Sequence, residues 1–180
     1  MSAPILDRAT ITEALRRLGE RLAYRGVVAD LYVFWGAAMA LAYDLRRATR
    51  DIDALFHPHG AVVAEAQSVA LELGLPRWWL NEQASAYVSP VDDGAAPLVF
   101  EHPGLRVHAA SAQHLLAMKV QAGRRRDADD IRLLADHLGL RTPADVLAVA
   151  AEVFPDEPVP QRSVLLLDEL FGPGEGSAHL

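Results

Sequence analysis

The stretch from Trp35 to Asp53, W-G-A-A-M-A-L-A-Y-D-L-R-R-A-T-R-D-I-D, constrains this chain more than any other. A short apolar run, Leu31-Tyr32-Val33-Phe34, leads into Gly36; an alanine-rich segment follows, then Thr49-Arg50 and two aspartates separated by one residue. The order suggested is strand, turn, helix from about Ala37 to Tyr43, and strand. A strand over Arg50 to Phe56 has a side-chain period of two, which puts Asp51 and Asp53 on one face and Ile52 on the other. Two carboxylates about 7 Å apart on a rigid strand repel unless a cation sits between them. A hard divalent ion such as Mg²⁺, shared with substrate phosphates, removes that repulsion. Gly36 opens the intervening helix, whose free N–H groups and positive dipole end suit a phosphate.

These residues resemble the nucleotidyltransferase superfamily of the polymerase-beta type. Its signature is a Gly-Gly or Gly-Ser turn, a helix, and D-x-D on the next strand. Within it the likeness is to the AbiEii and MenT group of toxin–antitoxin nucleotidyltransferases. The residues that carry it are Gly36-Ala37-Ala38-Met39, Thr49-Arg50-Asp51-Ile52-Asp53, Trp79-Leu80-Asn81-Glu82, and Leu115 to Lys119 followed by Arg126-Asp127-Ala128-Asp129-Asp130-Ile131. One residue departs from the pattern: Trp35 stands where the family has the first glycine of its pair. Its indole could stack on a nucleotide base or fill the pocket and silence it.

The resemblance implies an α/β (α+β) fold, a small mixed sheet with packed helices and a helical C-terminal portion. It implies transfer of a nucleoside monophosphate from an NTP to an RNA hydroxyl. The implied acceptor is the tRNA 3′ end, and the implied setting is a toxin restrained by a cognate antitoxin. Asp51 and Asp53 would hold one or two Mg²⁺ ions. Trp35, Gly36, Ala37, Thr49, Arg50 and Lys119 would contact the nucleotide, and Asp127 or Asp130 would complete the catalytic centre. Asn81 and Glu82 are candidates for lining the pocket. Two other outcomes stay open, a catalytically silent binding module and nucleotidylation of a protein partner.

Net charge of −7 argues against broad nonspecific nucleic-acid binding but leaves room for a local basic patch. Arg46, Arg47 and Arg50 flank the aspartate pair, and Arg124, Arg125 and Arg126 precede the second acidic cluster. Arginine is the default cation here, sixteen against the single Lys119, so that lysine is informative. An ammonium is a compact point charge that guanidinium does not duplicate. With no cysteine there is no disulfide framework or thiolate metal site. The start lacks a signal peptide's charged region and apolar core, and no apolar run is long enough to span a membrane. A cytoplasmic protein is expected.

Along the rest of the chain, Thr10-Ile11-Thr12-Glu13 has capping-box spacing, and Gly26 is placed to end the helix that follows. His57-Pro58-His59-Gly60 reads as a turn, with a helix over Ala61 to Leu73 behind it. Paired Trp78-Trp79 suits a core or a lid. Leu98-Val99-Phe100 and Leu105-Arg106-Val107 are strands that extend the sheet, and Asp92-Asp93 lies in turn sequence. Ser111 caps a helix through Lys119, Gly123 breaks it, and a second helix runs from Arg124 to Leu138. On a continuous helix Lys119 and Asp130 would lie about 20° apart. An exposed salt bridge between them would contribute about 0–1 kcal/mol. Thr142-Pro143 starts another helix, reaching about Phe154, and Arg162 to Phe171 forms the last. The division expected is 1–140 for the nucleotidyltransferase-like domain, 141–171 for a helical extension and 172–180 for a disordered tail.

Overall fold

A computed structural model describes residues 4–44 and 46–172. The chain folds into two compact units, Met1–Ala86 with Ala95–Ala110, and Tyr87–Gly94 with Ser111–Leu180. The fold is α+β, with a five-stranded mixed sheet in the first unit and helices in both. The expected tail beyond Gly172 lies outside the described residues.

In the first unit, α1 (Arg8–Tyr24) is capped by Asp7, whose carboxylate accepts from Thr10 N at 2.8 Å. The capping box read at Thr10 to Glu13 is therefore corrected: Thr10 is already inside the helix. Glu13 instead pairs with Arg16 and Arg17. Ile11, Ala14, Leu15, Leu18 and Leu22 form the buried stripe, and Gly26 takes the left-handed conformation just past the end.

Strand β1 (Ala29–Val33) runs antiparallel to β2 (Ile52–His57), which runs parallel to the two-residue β3 (Leu80–Asn81). On its other side β1 runs parallel to β5 (Leu105–Ala109), which pairs antiparallel with β4 (Leu98–His102). The sheet order is β3-β2-β1-β5-β4. Ala29, Leu31, Val33, Ile52, Ala54, Leu105, Val107 and Ala109 are buried on one face. Their neighbours Asp30, Tyr32, Asp53 and Arg106 alternate to the other, as a period of two requires. Asp30 and Arg106 are register partners across β1 and β5 and close an exposed ion pair at 2.8 Å.

Between β1 and β2 the chain makes α2 (Trp35–Ala38), which widens at once into a π-helix over Met39–Tyr43. The helix expected over Ala37 to Tyr43 thus begins two residues earlier and is half π. Widening leaves carbonyls poorly served, and Arg8 Nη1 reaches back to donate to Leu41 O at 3.0 Å. Helix α3 (His59–Leu73) starts at His59, inside the segment read as a turn, and ends at left-handed Gly74. Trp79 is fully buried and its Nε1 donates to Ala66 O at 2.9 Å, whereas Trp78 is 44% exposed, so only one tryptophan belongs to the core.

The second unit is built on α4 (Ala112–Ala122), with α5 (Ala128–His137), α6 (Pro143–Val153) and α7 (Gln161–Phe171) packed on it or on each other. Ser111 caps α4 as expected, accepting from His114 N, and Gly123 ends it at φ 58°. Asp93 is more than turn filler. Its Oδ2 accepts from Ser111 N at 2.8 Å, and its Oδ1 lies 3.2 Å from His114 Nδ1. Thr142 and Asp145 complete a capping box at the start of α6.

Candidate active site

The D-x-D pair sits where β2 begins. Asp53 belongs to the strand; Asp51 is one residue before it. Both are half-buried, and Ile52 and Ala54 between and after them are fully buried, so the two carboxylates share the face opposite the core. The parallel pairing of β2 and β3 sets Asn81 beside Asp53, and Asn81 Nδ2 donates to Asp51 Oδ2 at 3.1 Å. Asn81 is itself held: Nδ2 also donates to Trp78 O, and Oδ1 accepts from Gln83 N at 2.9 Å. A 9%-exposed amide with three bonds is a rigid arm that fixes one oxygen of Asp51.

The β1–α2 turn is joined to the same strand, since Phe34 N donates to Asp53 O at 3.1 Å. Trp35 follows with φ 50°, the one non-glycine residue of positive φ among those described. For a bulky L-residue this backbone costs about 1–2 kcal/mol. The left-handed geometry is the one glycine adopts freely, and tryptophan occupies it here with its side chain 6% exposed. Gly36 meets a separate constraint. A Cβ added there would stand 2.6 Å from Thr49 Oγ1, so the absence of a side chain lets Thr49 close over the turn. Thr49 is fixed from both sides: its N and O exchange bonds with Leu6, and its hydroxyl donates to Asp51 O at 3.1 Å. Ala37 is buried, so only its backbone N–H is left for a ligand; Arg50 is exposed.

The other expected site residues lie in the second unit. Lys119 is 2% exposed, with its Nζ 3.0 Å from Asp127 Oδ1 and 2.8 Å from Asp130 Oδ2. The helix between them is interrupted by Gly123 and a 3₁₀ turn over Arg125–Asp127, so the chain reversal, and no shared helix face, brings them together. The salt bridge weighed between Lys119 and Asp130 is present, buried rather than exposed, and Asp127 makes it a triad. Asp127 and Asp130 both contact the lysine, one cation facing two anions.

His59 pairs with Glu82 at 3.0 Å and stacks on Phe56. Among the described residues no group of three or more histidine or acidic side chains is arranged to hold a metal ion. The two carboxylates of the D-x-D pair suit an ion that takes its remaining ligands from substrate phosphates and water. Among the described residues no helix is long and apolar enough to cross a membrane.

No protein-family model, curated protein or solved structure matches the chain.

The Asn81 bond to Asp51, the Leu6 tie to Thr49 and the positive φ of Trp35 were invisible in the sequence. Each depends on segments that meet only in three dimensions. The resemblance pointed to Asn81 as a residue lining the pocket, without its bond to Asp51.

Proposed function

We propose that the chain is a Mg²⁺-dependent nucleotidyltransferase that moves a nucleoside monophosphate from an NTP to an RNA hydroxyl. The observation that carries this reading is the pair Asp51 and Asp53, half-buried on one face, with Asn81 bonded to Asp51 and the Phe34–Gly36 turn bonded to Asp53. A strand, a tight turn, a short helix and an acidic strand follow one another in the order that the polymerase-beta type of site requires.

Mg²⁺ bound between the carboxylates would neutralise triphosphate charge and polarise the phosphorus under attack. Asp51 and Asp53 supply anionic oxygens, and Asn81 keeps Asp51 from rotating away. The turn at Trp35-Gly36 brings backbone N–H groups near the same strand, where terminal phosphates would lie. The acceptor proposed is the tRNA 3′ end, the cellular setting a toxin paired with an antitoxin in the cytoplasm.

Incubation with labelled NTPs, Mg²⁺ and total tRNA tests this. Wild type labels RNA and Asp53→Ala does not, at unchanged melting temperature. Label on a protein band would reject RNA as acceptor and favour nucleotidylation of a partner.

A second reading has its own support in Trp35, whose buried indole occupies the turn that should admit phosphate. On that reading the chain is a catalytically silent binding module. Calorimetry separates the two: Mg²⁺-dependent NTP heat in the wild type supports the enzyme, and heat only in Trp35→Gly supports the silent module.

A further inference from the structure

Sixteen arginines share the chain with twenty-four acidic residues, and most of them are engaged. Arg16, Arg17, Arg21, Arg25, Arg106, Arg125 and Arg141 pair with carboxylates. Arg8, Arg132 and Arg162 donate to main-chain carbonyls, and Arg77 to Gln67. Two arginines beside the acidic pair behave differently. Among the described residues, no hydrogen bond, ion pair or ring contact engages the guanidinium groups of Arg46 and Arg50, and both are exposed. In a chain of net charge −7, two exposed cations without a charge partner are open to an anion from solution.

The segment that carries them is held in place. Arg47 N donates to Asp44 O at 3.0 Å and Arg46 N to Asp44 Oδ1 at 3.1 Å, which closes a turn. Three residues on, the Leu6–Thr49 bridge pins the backbone to the N-terminal segment, and Thr49 bonds to Asp51. Two long cationic side chains therefore project from an anchored backbone that ends at the carboxylate pair.

We infer that residues 46–50 dock the phosphate backbone of the RNA acceptor, through the guanidinium groups of Arg46 and Arg50. This rests on the transfer reading for the identity of the polyanion. Guanidinium is the group suited to paired contacts with phosphate oxygens. A cation on the flank of the acidic pair attracts an acceptor whose own charge those carboxylates would repel. Being exposed, the two arginines give the affinity a salt dependence, because each phosphate neutralised releases condensed counterions.

The test is the salt dependence of bulk tRNA binding, followed by fluorescence anisotropy of fluorescein-labelled tRNA over a KCl series. In Arg46→Gln/Arg50→Gln the slope of log affinity against log salt should fall in magnitude by about 1.4–1.8, at roughly 0.7–0.9 per phosphate contact. Arg106→Gln/Arg141→Gln, which removes the same charge from paired arginines, should leave the slope at the wild-type value. Mg²⁺·NTP binding by calorimetry should be unchanged in Arg46→Gln alone, which leaves Arg50, an expected nucleotide contact, in place. An unchanged slope, equal slopes in both double variants, or no tRNA binding by the wild type at any salt overturns the inference. Weakened NTP binding in place of weakened tRNA binding overturns it too, and assigns these arginines to the triphosphate. Failure of the transfer reading looks different: tRNA binding would keep its dependence on Arg46 and Arg50 while no RNA is labelled.

Discussion

The ammonium of Lys119 stands 2.8 Å from Asp130 Oδ2, although Gly123 ends the helix that carries the lysine before the aspartate's helix begins. With Asp127 at 3.0 Å the lysine is enclosed by two carboxylates and is 2% exposed. Removing it strands two buried anions, a loss of about 3–5 kcal/mol for a broken buried pair. Lys119→Met should therefore lower the melting temperature by roughly 6–20 °C for a chain of this size. A variant that melts with the wild type would show that the triad contributes nothing to folding. Any loss of transfer in it would then be chemical.

Trp35 holds a backbone that glycine adopts without strain, and its indole is buried. The two effects oppose, and two substitutions separate them. Trp35→Ala and Trp35→Gly both lose the packing, a cost of about 3–5 kcal/mol for a buried tryptophan cut to alanine. Glycine also relieves the positive φ, offset in part by its more flexible unfolded chain. Urea titration should find Trp35→Gly the more stable of the two by about 0.5–1 kcal/mol. Alanine equal to or above glycine would mean that the turn is unstrained.

Glu13 accepts hydrogen bonds from Arg16 and Arg17, which pull its pKa from 4.5 down to about 2. The folded chain then binds fewer protons than the unfolded one in that window. The contribution of Glu13 to stability is complete above pH 4.5 and is lost as pH falls towards about 2. Urea midpoints of wild type and Glu13→Gln should differ at pH 6 and converge by about pH 2. Because the carboxylate is at the surface, the difference should shrink in high salt. Parallel pH profiles would remove Glu13 from the account.

Local patterns made much of the architecture readable. The leucine stripe of α1, the alternation of β2, the glycine ends at Gly26 and Gly123, and the Ser111 and Thr142 caps all act over a few residues. Each of these effects is a property of neighbouring groups. The errors cluster where local signals compete. Asp7 outranks Thr10 as the cap of α1, and α3 starts inside a His-Pro-His-Gly run that reads as a turn.

The sequence by itself determined the order of elements and the placing of two aspartates on one face, because periodicity and capping are local. Only the tertiary structure decided that Asn81 steadies Asp51, that Thr49 closes over Gly36, and that Lys119 is buried between two aspartates. Those contacts join residues 30, 13 and 8 or 11 positions apart. Such separations are bridged when strands pair and helices reverse, and no propensity of the intervening residues encodes the meeting of their side chains.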